Sequence, residues 1–156
     1  MEEKHLAPRV KLLCNEFDLV HNRALTTQEL TGTQALVLRL LSRRGPQPTF
    51  ARDLEQILHL AHPTVSGLLH RLEDKDFIRL VPEKNDKRCR RIVPTDKALA
   101  TLQAIDRCFD EAEAEILTPL TPEEAAQFRT LLYKVTDSLR RRCPHPMIEP
   151  EKEVAL

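Results

Sequence analysis

The stretch that most constrains this chain runs from Thr49 to Lys75, where two short amphipathic segments meet at a break of three residues. In the first segment Ala51, Leu54, Ile57 and Leu58 recur at helical spacing, which predicts a helix over 50–58 with Thr49 as its cap. His59-Leu60-Ala61 reads as a tight turn. Pro63 suits the first turn of a second helix, HPTVSGLLHRL and onward to Lys75. Two short helices separated by about four residues have the spacing of a helix-turn-helix. In the second, Val65, Leu68, Leu69 and Leu72 share one face and can be buried. Thr64, Ser66, Gly67, His70 and Arg71 fall mostly on the other. That face is small and polar, suited to water or to the edges of base pairs.

A hairpin pattern follows. Phe77–Val81 and Cys89–Val93 are short, partly alternating and rich in strand formers, and the polar segment Pro82–Arg88 lies between them. Lys84, Lys87, Arg88, Arg90 and Arg91 crowd into eight residues around the tip. A hairpin directly after a helix-turn-helix makes a winged helix. A helix that enters the major groove must present its N-terminal half without bulky obstruction. Pro63, Thr64, Ser66, Gly67, His70 and Arg71 are therefore the expected reading residues: short hydroxyls, a missing side chain, free first-turn amides and two longer polar groups. A hairpin tip is narrow enough for the minor groove, whose negative potential attracts arginine. Lys87, Arg88 and Arg90 are the expected wing contacts, and Asp86 can orient Arg88 through a charge-assisted bond.

The flanks read as long helices. Val10, Leu13, Phe17, Val20 and Ala24 make one apolar stripe over 8–24. Thr31 with Gln34 forms a capping box that opens a helix carrying Leu36, Val37, Leu40 and Leu41, and Arg43-Arg44-Gly45 closes it. Thr95 can cap a helix over 96–117, in which Ala98, Leu102, Ile105, Phe109, Ala112 and Ile116 form a heptad seam. Thr121-Pro122-Glu123-Glu124 opens a last helix, expected to bury Phe128, Leu131, Leu132, Val135 and Leu139. Three such stripes exceed what a small winged domain can cover, which points to interleaved helices of two chains. The tail 143–156, with three prolines and alternating charge, is expected to be disordered.

Composition agrees with a largely helical chain: 156 residues, three glycines and abundant Leu, Ala, Glu and Arg. The formal net charge is zero, which by itself argues against a nucleic-acid partner. Its distribution argues the reverse. From Arg39 to Arg91 there are 12 Lys/Arg against 7 Asp/Glu, a balance of +5, and the remainder carries 12 against 17, a balance of −5. No apolar run reaches the roughly 18 residues that span a bilayer, and MEEKHLAPRV lacks the apolar core of a signal peptide, so a cytoplasmic protein is expected.

Cys14, Cys89, Cys108 and Cys143 form no CxxC pair and read as reduced thiols. His59, His62, Cys143 and His145 do not have the spacing of a metal site, and no metal or other cofactor is expected. There is no glycine-rich phosphate loop, HExxH or GxSxG, so an enzyme is not expected. The rival from another class is a winged helix that binds protein, which would favour a neutral wing.

TGTQALVLRLL (31–41), HPTVSGLLHRLEDKDFI (62–78) and DKRCRRIVPT (86–95) together resemble the MarR family of bacterial transcription regulators. The resemblance covers about 8–142, and its specific part is the reading helix followed by Asp-x-Arg in the wing. It implies a mainly α fold with a small β-hairpin wing. Residues 31–95 would be the DNA-binding domain, and 1–30 with 96–142 a helical dimerisation region. It also implies a homodimer on a near-palindromic operator, usually repressing, with Arg88 in the minor groove held by Asp86. A small phenolic or other aromatic effector between the two regions is a further implication, as is a redox-sensing variant through Cys14; Cys89 in the wing is a second candidate thiol. Two departures stand out. Asp76 occupies a place where the family usually has Gly, and Pro94 one where an aliphatic residue is usual.

Overall fold

The computed structural model describes residues 5–83 and 89–142. The calls on Asp86, Lys87, Arg88, Cys143, His145 and the tail lie outside the described residues. The order is α1 (Leu6–Ala24), a short 3-10 turn (Thr26–Gln28), α2 (Gly32–Arg44), α3 (Ala51–Leu58), α4 (His62–Asp74), β1 (Ile78–Pro82), β2 (Arg90–Pro94), α5 (Asp96–Leu117) and α6 (Pro122–Arg142).

Local chemistry sets most of these boundaries. The Thr31 hydroxyl accepts from the Gln34 amide while the Gln34 side chain accepts from the Thr31 amide, so the expected capping box opens α2. Gly45, at φ 57°, closes it. α2 is the central helix: Ala35, Val37, Leu38, Leu40 and Leu41 are all buried. Leu54 of α3, Val65, Leu69 and Leu72 of α4, Phe77 and Ile78, Ile92 of β2 and Ala98 and Ile105 of α5 complete one continuous core.

The end of α4 is held by three devices at once. The Phe77 amide donates to the Leu72 carbonyl and the Asp76 amide to the Glu73 carbonyl, which is the paired bonding of a Schellman cap. Asp76 sits in the left-handed region at φ 64°, as the turn requires. Its carboxylate pairs with Arg79. The Thr95 hydroxyl, which caps α5 by accepting from the Ala98 amide, also donates to the Asp76 and Phe77 carbonyls. One side chain thus opens α5 and staples the turn that closes α4.

β1 and β2 pair antiparallel in a register that sets Ile78 opposite Pro94 and Pro82 opposite Arg90. Each strand lies one residue further along than its sequence pattern suggests. Proline can end a two-stranded edge because no outer strand needs its missing donor.

Two expectations fail. Thr49 does not cap α3: it is buried, its carbonyl accepts from the Ile92 amide, and Phe50 bridges to Arg91. The chain at 49–50 is used as a third rung beside β2. Asp53 reaches back to the Phe50 amide at 2.9 Å and opens α3 instead. The apolar residues of α6 are not buried within the chain either. Leu131, Leu132, Val135 and Leu139 are exposed, and only Ala125 of that helix is buried. α1 buries no residue fully, and Val10 and Leu13 of its stripe face outward. No described helix is long and apolar enough to cross a membrane.

Candidate nucleic-acid interface

α4 is amphipathic in the sense its sequence suggests. Val65, Leu69 and Leu72 close the core, while Pro63, Thr64, His70 and Arg71 are exposed and Ser66 and Gly67 are half-buried. The turn before it is formed by His59, left-handed at φ 52°, and by the Leu60 amide donating to the Glu55 carbonyl. The His62 imidazole pairs with the Glu55 carboxylate at 2.6 Å, tying the start of α4 to α3. These contacts fix the entry angle of the exposed face.

That face forms a ridge between two grooves. On the side of the hairpin, Ser66 and His70 line a cleft of about 600 Å³ with Phe50, Leu80, Cys89 and Arg90. On the other side, Thr64, Gly67 and Arg71 line a groove of about 340 Å³ with Thr31 and Thr33. A Cβ on Gly67 would meet nothing within 4 Å. No neighbour within the chain requires glycine there. The free space lies on the outer side of the helix, where another molecule can approach the backbone.

The first turn of α4 is closed largely on itself: Thr64 and Val65 donate to the Ala61 carbonyl, and Pro63 carries no amide hydrogen. The helix dipole still favours an anion near this end. Arg90 and Arg91 open β2, both exposed, and Arg90 lines the cleft. Arg90 therefore lies on the same side of the molecule as Ser66 and His70.

Two residues near this surface escape sequence reasoning. Thr31 and Thr33 stand at the start of α2, beside Thr64 and Arg71. The capping box at Thr31 was legible, but its nearness to α4 depends on tertiary packing.

The thiols fall into two classes. Cys14 on α1 and Cys89 beside the hairpin are exposed. Cys108 on α5 is buried, and burial, then the nearby Glu111 charge, raises its pKa and keeps it a thiol. Among the described residues no three His, Cys, Asp or Glu side chains come together as a metal site.

The family model described as MarR family matches residues 28–88. The transcriptional regulator PecS of Dickeya dadantii is 29% identical over 132 residues, covering 84% of this chain and 78% of PecS. The described architecture also superposes on MepR of S. aureus in its DNA complex, with TM-score 0.71, 25% identity, and 89% and 99% of the two chains covered. A mutant MarR of E. coli, complexed with operator DNA, matches at TM-score 0.73 and 23% identity over 83% of this chain and 92% of that one.

Residues 28–88 match the MarR family, and the chain resembles its members over most of its length. Members of this family are transcription regulators, not enzymes, and the chain has their winged helix-turn-helix fold. In MarR terms α3 and α4 are the helix-turn-helix and β1 with β2 the wing. The left-handed Asp76 shows how this chain manages without the usual glycine: the Arg79 pair and the Thr95 staple hold a turn that glycine adopts freely.

Proposed function

We propose that the protein is a homodimer that binds a near-palindromic operator, represses from it, and is released by a small phenolic or other aromatic ligand. The reading rests on one observation above others. The outer face of α4 is polar, open at Gly67 and flanked by grooves on both sides, while its inner face closes the core. Pro63, Thr64, Ser66, Gly67, His70 and Arg71 meet the major groove. Arg88, with Lys87 and Arg90, serves the minor groove and the adjoining phosphates, and Asp86 holds Arg88. Residues 31–95 carry these contacts, and 1–30 with 96–142 form the dimer. The outward apolar stripes of α1 and α6 support the second half of that division.

A two-fold dimer sets two reading helices about one turn of DNA apart, so its operator repeats with the same symmetry. A second mode of release, oxidation of Cys89, is favoured by its exposed thiol beside the cleft next to α4.

The test is fluorescence anisotropy with DNA from upstream of the protein's own gene against a scrambled duplex, across a salt series. Tight, salt-steep, sequence-selective binding supports the reading. Absence of binding at low salt by a folded dimer refutes it and favours a protein-binding adaptor. Arg88→Ala is expected to weaken operator binding by about 1–3 kcal/mol and to lower the salt slope by about one. Unchanged affinity and slope would reject the wing assignment.

A further inference from the structure

The winged region and α5 are joined at two points by cation–π contacts of opposite polarity. Near the start of α5, the Lys97 ammonium lies 4.4 Å from the centre of the Phe77 ring and donates to the Lys75 carbonyl at 2.7 Å. Here α5 supplies the cation and the winged region the ring. About 18 Å further along α5, from Lys97 to Phe109 at the rise of a helix, the roles reverse. Arg39 of α2 sits over the ring of Phe109 at 4.9 Å and bonds Asp106 through Nε at 2.9 Å. Its side chain is only 16% exposed. Phe109 in turn lies 5.0 Å from the His21 ring of α1, whose Nδ1 is 2.7 Å from the Phe17 carbonyl. Arg39 therefore ties α2 to α5, and Phe109 carries the link on to α1.

Between the two joints the contact is aliphatic: Ala98, Leu102 and Ile105 pack on the core. Aliphatic packing resists separation but is weakly directional. A guanidinium fixed by a carboxylate on one edge and a ring on one face is directional in both respects. Lys97 alone would leave α5 free to swing about its N-terminal end. Arg39, held by Asp106 and Phe109 roughly three turns on, removes that freedom.

We propose that Arg39 is a positioning residue for DNA recognition: with Asp106 and Phe109 it fixes the angle between the reading head and the long helices, and so the distance between the two reading helices of the dimer. This rests on the homodimer proposed above. Arg39 touches no DNA in this scheme. It selects operators by the spacing of their half-sites, since a dimer bridges only half-sites its geometry can reach.

The experiment uses the full-length protein. Operators are selected from a random duplex pool with the wild type. They are then remade with the half-site distance changed by one and two base pairs, beside a duplex that carries a single half-site. The wild type is expected to lose about tenfold or more when the spacing changes. Arg39→Met is expected to lose about fivefold or more at the selected spacing, to bind the single half-site as the wild type does, and to show a flattened or shifted spacing profile. Phe109→Leu reproduces that profile, and Arg39→Lys, which keeps the charge without the planar fork, recovers only part of it. Equal losses on the operator and the single half-site, or an unshifted profile in both Arg39→Met and Phe109→Leu, overturn the assignment. A sharp wild-type profile keeps the dimer reading intact in that event. A wild type that is indifferent to spacing refutes the dimer reading, and the role of Arg39 falls with it. Thermal melts separate these results from misfolding, and Asp106→Asn, a change at an exposed carboxylate, tests the same joint if Arg39→Met does not fold.

Discussion

Val37, Leu54, Val65 and Leu72 in the winged region are fully buried within one chain, whereas Leu131, Leu132, Val135 and Leu139 on α6 stand 51–60% exposed. Both sets recur at helical spacing, and both look alike in sequence. The difference lies in what surrounds them. α2, α3, α4, the hairpin and α5 close around the first set and leave it no water. α6 has little among the described residues to cover it, and its ion pair from Arg129 to Glu113 holds one edge. α1 repeats the pattern, with Val10 and Leu13 outward. A contiguous exposed stripe of this kind marks an interaction surface. The winged region closes its core within one chain, and the terminal helices leave their apolar stripes open.

The largest effect is expected where the core is closed. Leu72→Ala removes a side chain with no solvent exposure from the last turn of α4, next to the Schellman turn. It should cost about 2–5 kcal/mol, as for other buried leucines. A thermal or denaturant melt measures it. The loss should be the same at every protein concentration above that needed for the dimer, because the cavity lies within one chain. A loss below about 1 kcal/mol would mean that the winged region is not the rigid unit described.

The sequence makes the closed region easier to read than the open one. Thr31, Thr95 and Thr121 announce helix starts because a hydroxyl and a following amide are local partners, and all three cap as expected. Thr49 carries the same local signal and means something else. Its fate is decided by Ile92, 43 positions on, whose amide takes its carbonyl. No local rule reports such a partner. The left-handed turn at residue 76 is only weakly favoured by Asp itself; the Thr95 hydroxyl and Arg79 hold it. On α4 the division into inner and outer faces was legible, because periodicity alone decides it. The neighbours of that face, Thr31 and Thr33 on one side and Phe50 and Cys89 on the other, come from elsewhere in the chain. The apolar run of α6 was legible as apolar. What covers it is not a contact of a single copy, in keeping with a sequence whose three apolar stripes exceed what one winged domain can cover.

The next effect in size tests the open half. Leu132→Glu places a charge in the middle of the exposed stripe of α6. In an isolated chain this is a surface change, worth about 0.5 kcal/mol or less. In a dimer whose interface includes that stripe it buries an unpaired carboxylate, and assembly should weaken by about 2–5 kcal/mol. Sedimentation velocity should show a shift from dimer to monomer at micromolar concentration, and operator binding should fall with it. A variant that sediments as the wild type would remove α6 from the interface and leave its exposure unexplained. Paired with Leu72→Ala, it asks whether the two regions are stabilised by different copies of the chain.

The smallest effect separates stability from recognition on one residue. Gly67 is a helix-interior glycine with nothing within 4 Å of the place a Cβ would occupy. Alanine at that position should stabilise the fold by about 0.5–1 kcal/mol, because glycine pays the larger conformational entropy. If the outer face of α4 is simply solvated, Gly67→Ala gains that stability and changes nothing else. If the open space is the approach of DNA to the helix backbone, the same methyl meets a base or a phosphate, and operator affinity falls by about 1 kcal/mol or more while the melting temperature rises. The two readouts move in opposite directions, so a general loss of structure cannot imitate the result. A rise in stability with unchanged affinity for the selected operator would take Gly67 out of the interface and confine recognition to the flanks, to Thr64 and Arg71 on one side and Ser66 and His70 on the other.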